Sequence, residues 1–147
     1  MQTHPANEQF YLALIEFLMI AKQNIMAIGG EFGLTSIQTV TLLLLDDSNP
    51  RPMKSFCTFY HCDASNVTGI MDGLEKKNLV SRQSDMNDRR VKVIHLEESG
   101  RTTKKAILER LATFDGILFD PLSEKESTQF VRIISKIAAT LDDSIEG

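Results

Sequence analysis

Residues 63–100 read DASNVTGIMDGLEKKNLVSRQSDMNDRRVKVIHLEESG, and this stretch decides the fold. Asp63 is a good N-cap for a helix over Ala64 to Lys77, and Asn78 is a tolerable left-handed stop. Leu79 to Gln83 and Val91 to Leu96 are short β-branched runs separated by Ser84-Asp85-Met86-Asn87-Asp88-Arg89-Arg90, a turn-rich segment tipped with positive charge. This predicts a β-hairpin with a basic tip. Just upstream, Pro52 sits at a plausible first helical position for a short helix over Met53 to Tyr60. Two helices joined by so short a turn suggest helix-turn-helix, and the hairpin that follows by about ten residues completes a winged helix.

On a helix turning roughly 100° per residue, Val67, Ile70, Met71 and Leu74 converge on one face. Ser65, Gly69, Asp72 and Lys76 point nearly opposite, with Asn66 and Thr68 at the margins. A small, polar outer face suits a helix lying in a DNA major groove, where short side chains reach base edges and let the backbone approach. Any amphipathic surface helix also has a polar face. Gly69 and Gly73, read here as one exposed side, each cost about 1 kcal/mol relative to alanine; close approach to another surface and drift at a solvated position explain them equally well. Arg89 and Arg90 at the hairpin tip suit a minor groove, whose negative potential attracts inserted arginines.

The charge is divided to match. The net charge of −4 conceals 11 basic and 7 acidic residues between Arg51 and Lys105, against 5 basic and 13 acidic in the remainder. The middle is basic and both flanks are acidic, and counterion release depends on the charge local to a docking face. Catalytic patterns are missing: the sequence has no HExxH, no phosphate-cradling glycine loop and no nucleophile elbow, so an enzyme is not expected.

Of 147 residues 42% are apolar, the balance of one globular domain able to fold without disulfides or a structural metal. Phe10, Leu14, Phe17, Ala21, Ile25 and Ile28 form a helical stripe, but Leu12, Ile15, Met19, Ile20 and Met26 make the other sides apolar too. Such a helix is either covered by a second subunit or is the core of a monomer. Gly29 and Gly30 are expected to end it. The run from Phe10 to Ala21, broken by Glu16 and bounded by Lys22, is read as too short for a membrane crossing. Thr35 with Gln38 is a capping box for a helix that runs until Asp46 to Pro50. Ile107, Leu111, Phe114 and Leu118 mark a long helix halted by Pro121. Ser123 with Glu126 opens another through Phe130, Ile134, Ile137 and Leu141.

Leu34-Thr35-Ser36-Ile37-Gln38, Leu79-Val80-Ser81-Arg82, Asp88-Arg89-Arg90-Val91 and Leu96-Glu97-Glu98-Ser99-Gly100 resemble the MarR family of bacterial transcription regulators in wording and spacing, over about 90% of the chain. The resemblance implies a mainly α fold with a small β-hairpin, a winged helix-turn-helix whose terminal helices form an intertwined homodimer. One MarR-like domain would fill 1–147, with dimerisation helices at 8–33 and 101–145 and a DNA-binding lobe at 34–100. Phe10, Leu14, Phe17, Phe130, Ile134, Ile137 and Leu141 would carry the dimer contact. The helix Ala64 to Lys77 becomes the recognition helix, with Ser65, Asn66, Thr68 and Gly69 at or near base edges of double-stranded DNA. Lys54, Lys76 and Arg82 would meet phosphates, Arg89 and Arg90 would straddle the minor groove, and Asp88 would hold the wing in shape.

The family often has arginine where this chain has Gly69 and Gly73, glycine at Asn78 and threonine at Glu97. The resemblance further implies a cytoplasmic repressor without a cofactor, released by a small aromatic or other lipophilic effector in a cleft beside the ends of the first and fifth helices. Alternatives remain: a thiol-responsive regulator using Cys57 or Cys62, which otherwise pack as small apolar groups; a metal-responsive one drawing on His61 and Cys62 with His4 and His95; or a winged-helix dimer acting through protein contacts.

Overall fold

The computed structural model describes residues 8–48 and 50–145, with the backbone alone at 114–119 and 141–145. The elements follow in the order α1 (Glu8–Glu31), α2 (Ser36–Leu44), β1 (Arg51–Pro52), α3 (Met53–Tyr60), α4 (Ala64–Lys76), β2 (Val80–Ser84), β3 (Lys92–Leu96), α5 (Glu98–Phe119) and α6 (Glu124–Ile145). His4 lies outside the described residues, as do the side chains of Phe114, Leu118 and Leu141.

Helix starts fall where side chains satisfy the first free N–H groups. At α2 the Thr35 hydroxyl accepts the Gln38 amide at 3.3 Å, while the Gln38 side chain accepts the Thr35 amide at 3.2 Å. Asp63 accepts the Asn66 amide at 2.9 Å to open α4. Glu126 accepts the Ser123 amide at 2.8 Å to open α6. All three caps are those read from the sequence. The end of α1 is not. The helix runs through Gly29 and Gly30 and closes at Gly33, whose φ of 67° lets the Leu34 amide reach back to the Gly29 carbonyl at 2.9 Å.

The three strands form an antiparallel sheet in the order β1-β3-β2. Val80 pairs with Leu96, Arg82 with Ile94 and Ser84 with Lys92, so each hairpin strand begins one residue later than the sequence reading placed it. β1 was not expected. Arg51 pairs with Ile94 and Pro52 with Val93, which makes Pro52 the end of an edge strand and the N-cap of α3 rather than its first helical residue. A proline is tolerated there because an edge strand has amides that need no partner.

The core sits inside the lobe, where Leu42, Phe56, Val67, Met71, Leu74, Ile94 and Ile107 are fully buried. The inward stripe of α4 is therefore the predicted one, with Ile70 half-buried against the same cluster. Ile107 belongs to α5, so the first half of that helix packs into the same core as α2, α3 and α4. Gly100 shows how close that packing is: a β-carbon there would overlap the Leu79 carbonyl oxygen. The same carbonyl accepts the Glu97 amide at 3.0 Å, tying the start of α5 to the start of the hairpin. Two Arg–carboxylate forks strengthen the joints: Arg101 grips Asp47 at 2.6 and 3.1 Å, and Arg110 grips Glu31 at 2.9 and 2.8 Å.

Outside the lobe the apolar surface is uncovered. Of α1 only Ile28 and Gly29 are buried, while Phe10 is 61% exposed and Ile15 56%. Val131, Ile133, Ile134 and Ile137 of α6 are exposed as well. Phe17 and Phe130 meet edge to face at 5.8 Å, so two residues assigned to the dimer contact pack on each other within one chain. By length and composition α1 passes for a membrane span. This corrects the shorter run read from the sequence, because the apolar character continues past Lys22 to Ile28.

Candidate nucleic-acid interface

Between α3 and α4 the chain turns through a left-handed residue, His61 (φ 48°, ψ 46°). The Cys62 amide returns to the Cys57 carbonyl at 3.1 Å and the His61 amide to the Thr58 carbonyl at 3.2 Å, which closes α3 with paired hydrogen bonds. Asp63 follows at once and caps α4. Backbone and hydroxyl donors from Asn66 and Ser65 hold its carboxyl below the usual carboxylate range. It therefore stays ionised where negative charge complements the helix N-terminus.

On the outer side of α4, Ser65, Asn66, Gly69 and Lys76 are exposed and Thr68 is half-buried. Ser65 donates to Asp63 at 2.8 Å, so its hydroxyl serves the cap as well as the surface. Lys54 is exposed at the start of α3. The two glycines of α4 differ. Gly69 faces open space, whereas a β-carbon at Gly73 would run into the Gln38 side-chain amide. Gly73 thus packs toward α2, and the reading of both as one exposed side is corrected.

Arg82 is also placed differently from the expectation of a phosphate contact. Its guanidinium turns back onto α4, reaching Asp72 at 2.5 Å, Glu75 at 3.5 Å and the Thr68 carbonyl at 3.2 Å. Glu75 also accepts the Arg82 backbone amide at 3.0 Å. These bonds brace β2 against α4 and occupy the guanidinium that was expected to meet a phosphate.

The wing is shaped by two carboxylates. Asp85 accepts the amides of Asn87 and Asp88 at 2.8 and 3.0 Å, and Asp88 accepts the Arg90 amide at 3.0 Å. Backbone bonds between Asp85 and Val91 and between Val91 and Asp88, both 2.9 Å, close the loop. Asp88 is thus at the wing turn as expected. Asp85 was missed, although an aspartate two residues ahead of Asn87 is itself a signal for a side chain bonding its own backbone. Arg89 and Arg90 are exposed at the tip beside Met86. Lys92 donates to Ser84 at 2.9 Å across the hairpin.

Cys57 and Cys62 are half-buried against the lobe core, not fully enclosed. His61 is exposed in the turn and His95 half-buried on β3. Among the described residues no three His, Cys, Asp or Glu side chains converge as a metal site.

The model of the MarR family matches residues 34–92, from the residue after the α1 turn to the first residue of β3. The likeness to that family is thus carried by the segment from α2 through the hairpin. Across the whole chain the fold agrees: a crystal structure of MarR superposes with a TM-score of 0.77 at 20% identity, covering 98% of this chain and 97% of that one. A MarR-family regulator from Listeria monocytogenes, solved with a 26mer DNA, superposes at 0.75 with 16% identity, covering 91% and 90%. The HTH-type transcriptional repressor NicR of Pseudomonas putida is 28% identical over 104 residues, 71% of this chain and 66% of that protein. The fold is that of winged-helix MarR structures, and the curated relatives that the chain resembles are HTH-type transcriptional regulators.

If Arg82 braces the lobe, Arg82→Ala lowers unfolding stability by about 1–2 kcal/mol, a charged hydrogen bond discounted for the exposure of Asp72. Lys76→Ala, with no brace to lose, stays within about 0.5 kcal/mol. Urea unfolding at fixed chain concentration measures both; equal effects would contradict the brace.

Proposed function

We propose that this regulator works as a homodimeric repressor that occludes a pseudo-palindromic operator and lets go when a small aromatic ligand binds. The observation that carries the DNA reading is the wing, where Asp85 and Asp88 spend their carboxylates on backbone amides and leave the Arg89 and Arg90 side chains exposed. A rigid turn presenting two arginines fits a minor groove. Ser65, Asn66, Thr68 and Gly69 then lie toward base edges in the adjoining major groove, with Lys54 and Lys76 at phosphates. Arg82 is left to its bracing role. The Listeria structure with DNA and the repressor of Pseudomonas support this assignment by likeness.

A second copy is the occupant we assign to the apolar surfaces of α1 and α6, with Phe10, Leu14, Ile134 and Ile137 at the contact. A bilayer is the poorer cover for α1. It would take Glu16 and Lys22 into the span, at about 2.5–3.5 kcal/mol for a charge near its centre. The chain is accordingly placed in the cytoplasm. The dimer two-fold sets half-sites about one helical turn apart.

For the ligand, a cavity of about 320 Å³ lies between α1, α2 and the end of α3, lined by Leu18, Ile25, Ile37 and Val40 with Lys22 and Tyr60. Its walls are apolar, and Lys22 offers one cation, which suits a small aromatic acid. This is not the cleft by α5 expected from the sequence. The Tyr60 hydroxyl shares a 2.7 Å hydrogen bond with Thr41, so an occupant here touches α2 and α3 together. Coupling of this kind is typically 1–3 kcal/mol.

Titration with DNA flanking the protein's own gene tests the reading. Arg90→Ala should weaken binding about tenfold and reduce the log–log salt slope by about one, as the loss of a cation that displaces counterions from the groove does. Unchanged affinity and slope would take the wing out of the mechanism. Substituted benzoates should in turn lower the wild-type affinity for the same duplex by about fivefold or more. A series that leaves it unmoved would contradict the ligand assignment.

A further inference from the structure

We infer that Cys57 and Cys62 form a reversible intramolecular disulfide across the α3–α4 turn, making that turn a redox-sensitive site on the DNA-binding lobe. The backbone carries the argument. Cys57 lies three residues before Tyr60, the last residue of α3, and Cys62 is the second beyond it, and the bond from the Cys62 amide to the Cys57 carbonyl is 3.1 Å. A carbonyl oxygen lies about 2.4 Å from its own α-carbon and an amide nitrogen about 1.46 Å from its own, so the two α-carbons are at most about 7 Å apart. Any bend along that path brings them into the span of about 4.4–6.8 Å that disulfides bridge. In this kind of helix ending the two side chains characteristically meet.

Two further observations agree. Both thiols are free and only half-buried, so an oxidant can reach them. Burial pushes the Cys62 thiol up, and the neighbouring Cys57 is the next contributor.

Hydrogen peroxide suffices as the oxidant. One sulfur is oxidised to the sulfenic acid with release of one water. The second thiol attacks that sulfur, the S–O bond breaks, and a second water carries off the remaining oxygen and both thiol protons. The peroxide has then taken two electrons and the S–S bond has formed. Because Cys62 immediately precedes Asp63, the bridge ties the last turn of α3 to the cap of the recognition helix. A change in the angle between the two helices would be felt at the DNA.

The test uses the full-length reduced chain treated with peroxide. The tryptic peptide 55–76, which holds both cysteines, should become two hydrogens lighter while remaining a single peptide, and dithiothreitol should restore it. Cys57→Ser and Cys62→Ser should each abolish this product. Two titratable thiols surviving under conditions that consume free glutathione would overturn the inference, as would a product linked between chains. The mass shift needs no DNA, so its failure is distinct from failure of the proposed function. On the specific duplex the oxidised chain should bind about fivefold more weakly, the low end of allosteric coupling, with Cys57→Ser insensitive. Equal affinity of oxidised and reduced chains would overturn the link to the recognition helix.

Discussion

An apolar helix with little of its own chain to lie against governs this molecule. α1 buries Ile28 and Gly29 at its end, where it joins the lobe, and leaves Phe10, Leu12, Ile15 and Met19 to solvent. At about 25 cal/mol for each Å² of apolar surface removed from water, so long an exposed face is a strong drive toward association. The proposed cover is the same face of a second copy, together with the exposed ridge of α6. Everything about where two DNA-binding lobes point would follow from that contact.

Within one chain, α4 is held from three directions. Val67, Met71 and Leu74 bury its inner stripe in the core, Asp63 fixes its start, and Arg82 ties its outer edge to the hairpin through Asp72 and Glu75. The wing is then not a loose appendage, because β2 carries Arg82 and the same strand leads into the turn set by Asp85 and Asp88. Arg82 thereby joins helix and wing directly. The joints that attach the lobe to the long helices are Arg110 with Glu31 and Arg101 with Asp47, where each carboxyl is held below its ordinary range by its arginine. These contacts and the cavity beside Tyr60 lie between the lobe and the long helices.

Much of this was legible because it depends on local chemistry. Thr35 with Gln38, Asp63, and Ser123 with Glu126 announce helix starts through side chains that can bond only nearby amides, and the stripe of α4 shows its period directly. What escaped depends on partners distant in sequence. β1 is two residues long and has no period to show; it is a strand because Ile94 and Val93 lie beside it. Gly73 and Gly69 look alike on a helical wheel, and only Gln38 distinguishes them. Arg82 reads as a surface cation until the fold brings Asp72 and Glu75 to it. Gly33 ended α1 in place of the Gly29-Gly30 pair because a helix tolerates glycine but needs a left-handed residue to close. For the interface, residue types and spacing indicated a polar helix and a basic wing, while the division of labour among the arginines required the structure.

Sedimentation equilibrium of the purified reduced chain at low micromolar concentration is the most direct test of the central claim. The account predicts a single species of twice the 16.5 kDa chain mass, with the substitution Ile134→Glu shifting it toward the monomer. A wild-type chain that stays at 16.5 kDa across that range would leave α1 and α6 without their cover and contradict the account.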